Sequence, residues 1–230
     1  MNIAIIPARA ESKRIKKKNI KIFHGKPIIA WSIQEALKSK LFSKVIVSTD
    51  SKKIANLSKK YGAEVPYLRS KSLSNSTANI NDVIFDVLKY FKDKKIFFNY
   101  ACLIYATAPF LKSQDLKKGF NILKKNKKLD YVLSISKFKS AYYRSLKIKG
   151  NKIKPLFKKY IFSRSQLIKD FYFDNAQFTI GRSKSWLKKK HSYISNTSYV
   201  YIPSHRSQDI DTIEDWKRSE ILFKLLKKKR

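Results

Sequence analysis

Residues Asn2–Asn19 read NIAIIPARAESKRIKKKN. The opening run, Asn2–Pro7, is apolar and rich in β-branched residues, which predicts a strand. Next comes a polar, cationic loop carrying Arg9, Lys13 and Lys18. In open α/β sheets, ligands bind beyond the carboxyl ends of the strands, so this loop is the expected binding place. Its three named cations, together with loop amides, suit a triphosphate. The Gly-x-x-x-x-Gly-Lys-Ser/Thr pattern of a P-loop is absent, so any phosphate cradle here is of another kind.

Outward from that stretch, the chain alternates. Lys26–Ser39 has apolar residues at Ile29, Ile33, Ala36 and Leu37, a helical spacing. Lys44–Ser48 reads as a short buried strand, Ser51–Tyr61 as a helix closed by Gly62, and Glu64–Tyr67 as a brief strand. Helix Asn79–Phe91, strand Ala101–Tyr105, helix Ser113–Lys124 and strand Tyr131–Ile135 continue the order. Such βαβα order predicts an α/β fold, a mostly parallel sheet with helices on both faces. After Ser136 the rhythm changes: residues 137–172 read as a less regular insert, with a hairpin near Gly150-Asn151. Strands Phe173–Ile180 and Tyr199–Ile202 and a final helix Thr212–Lys227 complete one domain over residues 1–230.

Composition narrows the function classes. With 43% hydrophobic residues, 230 residues can bury a core without staples. The lone cysteine, Cys102, lies in an apolar run, and the absence of a disulfide framework suits a reducing cytoplasm. No stretch reads as a signal peptide or membrane span. The formal net charge of +36 invites a nucleic-acid reading. Yet nine of the 52 cations are arginine and 43 are lysine, scattered from Lys13 to Lys229, whereas base readers favour the planar guanidinium. A basic nucleic-acid-binding module is therefore the distant alternative. His24, His191 and His205 are dispersed and not at zinc spacings, and Asp50 reads as a loop cap.

The loop resembles the Pro-Ala-Arg-x-x-Ser-Lys-x-x-x-x-Lys-Asn signature of the sugar cytidylyltransferases, the group that includes the CMP-sialic acid synthetases. Gly25–Trp31, Val47–Asp50, Tyr61–Pro66, Leu68-Arg69, Thr107–Phe110 and Asp209–Asp215 continue the resemblance in order along nearly the whole chain. Within the group, Tyr105-Ala-Thr-Ala-Pro-Phe110 and Arg164-Ser-Gln166 look most like the branch that activates pseudaminate. The resemblance implies a three-layer, Rossmann-like fold of the nucleotide-diphospho-sugar transferase type and a homodimer built partly through the insert. It implies transfer of CMP from CTP to the anomeric hydroxyl of a nonulosonic acid. N-acetylneuraminate and legionaminate are the alternative sugars. Arg9, Lys13 and Lys18 would hold the phosphates and be catalytic, with Ser12 also at the nucleotide and Asn19 supporting the loop; Arg69 and residues near Leu103–Tyr105 would meet the cytidine; Thr107, Arg164 and Gln177 the sugar acid.

Departures from the pattern occur at Asn175, Ala176, Thr179 and Ile180, in the stretch assigned to the sugar, and an inactive relative is a weaker alternative. Ala10-Glu11 replaces the usual Gly-Gly, and Lys16 a common Pro; Glu11 is expected to face solvent.

Four of the sixteen acids, Asp209, Asp211, Glu214 and Asp215, fall within seven residues. In an extended Asp209-Ile-Asp211, both carboxylates share one face and Ile210 takes the other. Two hard oxygen ligands plus substrate phosphates are what Mg2+ takes. Asp209 and Asp211 are accordingly the expected metal ligands, with Asp211 also catalytic, while Glu214 and Asp215 read as charges at the start of the last helix.

Overall fold

The computed structural model describes residues 1–75, 77–138, 142–164 and 168–228. The chain runs β1 (Asn2–Pro7), β2 (Ile22–Phe23), β3 (Lys26–Pro27), α1 (Ile28–Ser39), β4 (Lys44–Ser48), α2 (Lys52–Lys60) and α3 (Ile80–Asp93). It continues β5 (Tyr100–Ile104), α4 (Ser113–Lys125), β6 (Tyr131–Lys137), β7 (Leu146–Lys149) and β8 (Lys152–Pro155). The remainder is β9 (Tyr172–Arg182), α5 (Ser183–Leu187), β10 (Thr197–Tyr201) and α6 (Ile213–Lys228).

Six strands form one sheet in the order β10-β6-β9-β5-β1-β4. Neighbours are parallel at β1–β4, β1–β5 and β6–β10, whereas β9 runs antiparallel to both β5 and β6. The α/β, mostly parallel reading therefore holds, with one reversed strand in the middle. Strand β1 lies between two partners and alternates between two cores. Ala4 and Ile6 pack with Ile29, Ile33, Leu116 and Phe120 from α1 and α4; Ile3 and Ile5 pack with Ile84, Val87, Leu88 and Phe91 from α3. Truncating a fully buried ring such as Phe120 to alanine costs roughly 3–5 kcal/mol.

Several boundaries differ from the periodicity for local reasons. Helix α1 starts at Ile28 because Lys26-Pro27 pairs with Ile22-Phe23 across a tight turn at His24 (φ 46°) and Gly25 (φ 85°). Helix α2 starts on the Ser51 hydroxyl, which accepts from the Ile54 amide at 3.3 Å. It is followed by Gly62 at φ 91°, a left-handed position where a Cβ would also sit 2.9 Å from Leu37 Cδ1. Residues 64–67 do not make a full strand; Glu64 bridges Ile46 of β4, and Leu68 bridges Thr49 just beyond it. The five-residue α5 is too short for helical spacing to announce. Within 137–172, β7 and β8 form a hairpin across Gly150, and the strand residues from Leu146 to Lys154 are exposed.

The departures at 175–180 lie inside the sheet. Register between β6 and β9 shifts between Leu133 and Ile135, with Ala176 at φ 52° on the bulged strand. Asn175 is buried and donates to Ser136 Oγ at 2.8 Å, while Thr179 and Ile180 are also buried.

A third apolar cluster fixes the loop after β1. Ile15 packs with Phe23, Ile28, Phe110, Ile210, Trp216 and Phe223, bringing the first loop, the segment before α6 and α6 itself together.

Candidate active site

The loop after β1 is tied down from within. The Ala10 amide donates to Asp50 Oδ1 at 2.8 Å, and Asn19 Nδ2 donates to the Arg9 carbonyl at 3.0 Å. Asp50 is thus a cap for this loop, in keeping with its position after β4. Ile15 is 1% exposed, so the loop is pinned at its centre while its charged residues spread around the anchor. Lys17 takes a left-handed φ of 53° just before a single 3-10 turn at Lys18–Ile20. Glu11 is exposed, as expected.

The cations have internal acceptors. Arg9 Nη1 donates to the Asn75 carbonyl at 2.9 Å. Lys18 Nζ donates to the Ile210 carbonyl at 2.7 Å and to Asp211 Oδ1 at 3.2 Å. Arg14 Nη2 lies 2.8 Å from Asp211 Oδ2.

These groups border a cavity of about 540 Å³ beyond the carboxyl ends of β1 and β5. Arg9, Ser12, Lys13, Lys18 and Asn19 line it from the first loop, and Tyr105, Ala106 and Thr107 from the loop after β5. Arg69 and Asp211 also line it, with Leu73, Asn75, Ala78 and Ile80 across the mouth. The volume falls within the range of small-molecule sites, roughly 300–1,000 Å³. Arg69 is buried, and its Nε donates to Ser74 Oγ at 3.1 Å. Burial works against its charge, while the carboxylates of Asp50 and Asp86 favour it.

Of the acid segment, Asp211 lines this cavity. Ile210 is 0% exposed, so its two neighbours turn away from the core, as alternation requires. Partial desolvation and the nearby Asp211 carboxylate push the Asp209 carboxyl up, while the Lys18 ammonium opposes them. Burial raises the Tyr105 phenol, with Asp174 and Asp209 adding to the effect, so these acids share one neighbourhood with the cavity wall. Behind them, Asp215 Oδ2 accepts from the Thr212 amide at 2.9 Å and hydroxyl at 2.7 Å, and the Asp215 amide donates to Thr212 Oγ1 at 3.1 Å. That is a reciprocal helix-start cap. Glu214 pairs with Arg218 at 2.9 Å, one turn on. Glu214 and Asp215 thus sit as charges at the start of the last helix, as expected.

Among the described residues, no group of three or more His, Cys, Asp or Glu side chains is arranged to hold a metal ion. The two aspartates of the segment, Asp209 and Asp211, offer hard oxygen donors. That composition fits Mg2+ rather than a softer metal.

Three residues named from sequence stand apart from the cavity lining. Gln177 is 2% exposed; its Nε2 donates to the Arg206 carbonyl at 2.6 Å and its backbone carbonyl accepts from the Tyr105 amide at 3.0 Å. Arg164 is exposed, and its neighbour Gln166 lies outside the described residues. Asp209 is exposed beside the cavity.

Sequence patterns miss other residues. Arg14, one of many cations in the first loop, carries no local mark beyond its charge. Arg206 pairs bidentately with Asp115 (Nη1–Oδ2 2.6 Å, Nη2–Oδ1 3.2 Å), and both side chains are nearly buried. Breaking one side of such a pair costs roughly 3–5 kcal/mol. A long-range pairing of this kind leaves no local pattern. Tyr193 donates to Asp174 Oδ2 at 2.7 Å, another contact across distant segments.

The family description "Cytidylyltransferase" matches residues 3–202. The chain is 34% identical over 225 residues to "Pseudaminic acid cytidylyltransferase" of Campylobacter jejuni subsp. jejuni serotype O:2, covering 97% of each. It is 36% identical over 226 residues to "CMP-N,N'-diacetyllegionaminic acid synthase" of Legionella pneumophila subsp. pneumophila, covering 97% of this chain and 96% of the relative. Among solved structures, a CMP:2-keto-3-deoxy-manno-octonic acid synthetase complexed with CTP superposes with a TM-score of 0.74 at 13% identity, covering 97% of this chain and 98% of that one. At that identity the likeness speaks for the fold.

Proposed function

Because the chain belongs to the cytidylyltransferase family, we propose that it transfers CMP from CTP to the anomeric hydroxyl of a nonulosonic acid, pseudaminate first among them. The observation that carries this reading is the bridge made by Lys18. One ammonium contacts both the acid segment and the cavity lined by the cationic loop. Such a site suits a substrate with a polyphosphate tail and a bound cation.

In the proposed reaction the anomeric oxygen attacks the α-phosphorus of CTP. The α–β phosphoanhydride bond breaks, pyrophosphate leaves, and the hydroxyl proton is lost. Arg9, Lys13 and Lys18 would hold the phosphates, with Ser12 and the Asn19-braced backbone shaping the cradle. Arg69 would meet the cytidine. Asp209 and Asp211 would hold Mg2+, which when bound supplies charge neutralisation for the triphosphate and the departing pyrophosphate. For the metal to take Asp211, the Arg14 guanidinium has to yield an oxygen. Arg14 is the more exposed of the two cations on that carboxylate, 64% against 20% for Lys18, so it is the one free to move. Thr107 and Arg164 would face the sugar acid, and Gln177 would support that wall through Tyr105.

Legionaminate is the second reading, favoured by the 36% identity to the Legionella synthase. Asn175, Thr179 and Ile180 are buried in the sheet, so these departures alter packing behind the site more than its lining. N-acetylneuraminate is the third sugar to compare. The test is pyrophosphate release from CTP and Mg2+ in the presence of each acid. Release with pseudaminate supports the reading; release with none of them contradicts it.

A homodimer is part of the proposal, with the insert as its contact. Ile148 and Ile153 on the β7–β8 hairpin and Phe162 beyond it are exposed, apolar residues that a second copy would cover. A solution mass near twice 27.0 kDa supports this; a mass of one chain contradicts it. No helix among the described residues is long and apolar enough to cross a membrane. A cytoplasmic setting, where CTP is made available, completes the proposal.

A further inference from the structure

The segment that carries Asp209 and Asp211 is anchored at its upstream end around Arg206. Arg206 Nη1 and Nη2 grip both oxygens of Asp115, in the first turn of α4, at 2.6 and 3.2 Å. Arg206 Nη1 also reaches the Phe110 carbonyl at 3.4 Å, and the Arg206 carbonyl accepts from Gln177 Nε2 at 2.6 Å. The planar fork of a guanidinium engaging a carboxylate with both arms fixes orientation as well as distance.

This grip joins the two walls of the cavity. Phe110 closes the loop that begins with the cavity residues Tyr105, Ala106 and Thr107, and its ring packs in the same cluster as Ile210. Asp209 follows Arg206 by three residues, about 10 Å of extended chain. Downstream, the segment is pinned by Ile210 in the core, by Lys18 on the Ile210 carbonyl and by the Thr212–Asp215 cap. Asp209 lies between these anchors, so the upstream grip sets the direction from which the chain reaches it.

We propose that Arg206 and Asp115 are positioning residues that set the Asp209–Asp211 carboxylates for the cation. Neither side chain lines the cavity, and the proposal rests on the reading of those two aspartates as the cation-holding pair. Partners of this kind behind metal ligands change metal affinity or activity by about 10–100-fold when removed.

The test separates positioning from stability with two variants. Asp115→Asn removes the charge but keeps the shape. The double variant Arg206→Met/Asp115→Leu replaces the pair by apolar side chains, an exchange that is often neutral or stabilising for a buried pair. Mg2+ binding to the enzyme–CTP complex is measured by calorimetry without sugar acid, and CTP binding is measured in chelator without metal. Thermal melts decide which variants are folded, and the double variant decides if Asp115→Asn is not. The expected result is a Mg2+ dissociation constant about 10-fold or more above wild type, with metal-free CTP affinity within about threefold. A folded double variant that binds Mg2+ like wild type overturns the proposal. If wild-type Mg2+ binding is unaffected by Asp211→Asn, the cation reading itself fails and takes the proposal with it; an Asp211-dependent wild type with insensitive clamp variants condemns the clamp alone.

Discussion

Lys18 and Asp211, 193 positions apart in sequence, meet with Nζ 3.2 Å from Oδ1. The same ammonium donates to the Ile210 carbonyl at 2.7 Å, so the first loop and the acid segment are one structural unit. The Asp211 side chain is still 37% exposed, and its loss leaves the Lys18–Ile210 contact in place. Asp211→Asn is therefore expected to leave the far-ultraviolet spectrum and melting midpoint near those of wild type. Turnover at saturating Mg2+ should fall by about 100-fold or more, as for loss of a metal ligand. Near-normal turnover would remove Asp211 from the metal site.

Arg9 is the cation whose contact is with a neighbouring loop rather than with an acid, donating to the Asn75 carbonyl. A triphosphate offers it a stronger, charged acceptor. Arg9→Ala should lower kcat/KM for CTP by about tenfold or more. Steady-state kinetics with CTP varied and sugar acid saturating measure this. A change within about twofold would mean that Arg9 braces the 70–79 loop and does not hold phosphate.

Asp50 acts through the loop rather than on substrate, by accepting the Ala10 amide at 2.8 Å. Asp50→Ala leaves that amide without its carboxylate and loosens the cradle. The KM for CTP is expected to rise severalfold, roughly what a lost charged hydrogen bond of about 1.5–3 kcal/mol gives when partly compensated by water. Asp50→Asn should recover most of it. An unchanged KM in the alanine variant would show that Asn19 and the buried Ile15 hold the loop without Asp50.

The Thr212–Asp215 cap makes a prediction about acid stability. Partial desolvation pushes the Asp215 carboxyl up, but hydrogen bonds from Thr212 and from the Asp211 amide outweigh it and hold the group below the ordinary aspartate value. An unfolded aspartate titrates near about 3.9. The cap's contribution is therefore fully present above that pH and is lost as pH falls through the lower folded value. Asp215→Asn should be less stable than wild type at about pH 7, and the gap should narrow as pH falls below about 3.9. Urea melts across that range check the sign. Thr212→Ala, which removes the reciprocal hydroxyl, should cost about 1 kcal/mol at neutral pH.

Much of this architecture is legible in the sequence because local pattern and global position agree. Asn2–Pro7 is a strand by composition and central by burial, and its loop has the cations where a sheet of this kind presents a ligand. Asp209-Ile210-Asp211 is readable from alternation alone, and Ile210 is indeed fully buried. The features that spacing hides are long-range. The reversed direction of β9 depends on pairing with both β5 and β6, and the bulge at Ala176 depends on a left-handed φ at a non-glycine residue. Arg206 and Asp115 are 91 residues apart, and neither stands in a pattern that names the other. The burial of Gln177 likewise depends on Arg206 and Tyr105 arriving from separate segments. The surplus of lysine, so prominent in the composition, says little about the cavity, where charge is placed rather than abundant.

Cytidylyl transfer to a nonulosonic acid stands or falls on product formation in a panel of sugar acids. The purified chain is incubated with CTP and Mg2+ and with pseudaminate, legionaminate, N-acetylneuraminate or 3-deoxy-octulosonate, and CMP-sugar and pyrophosphate are quantified together. Equal amounts of CMP-pseudaminate and pyrophosphate are expected, at the highest kcat/KM of the four, with both products lost in chelator. Pyrophosphate release from CTP with none of the three nonulosonic acids would contradict the assignment.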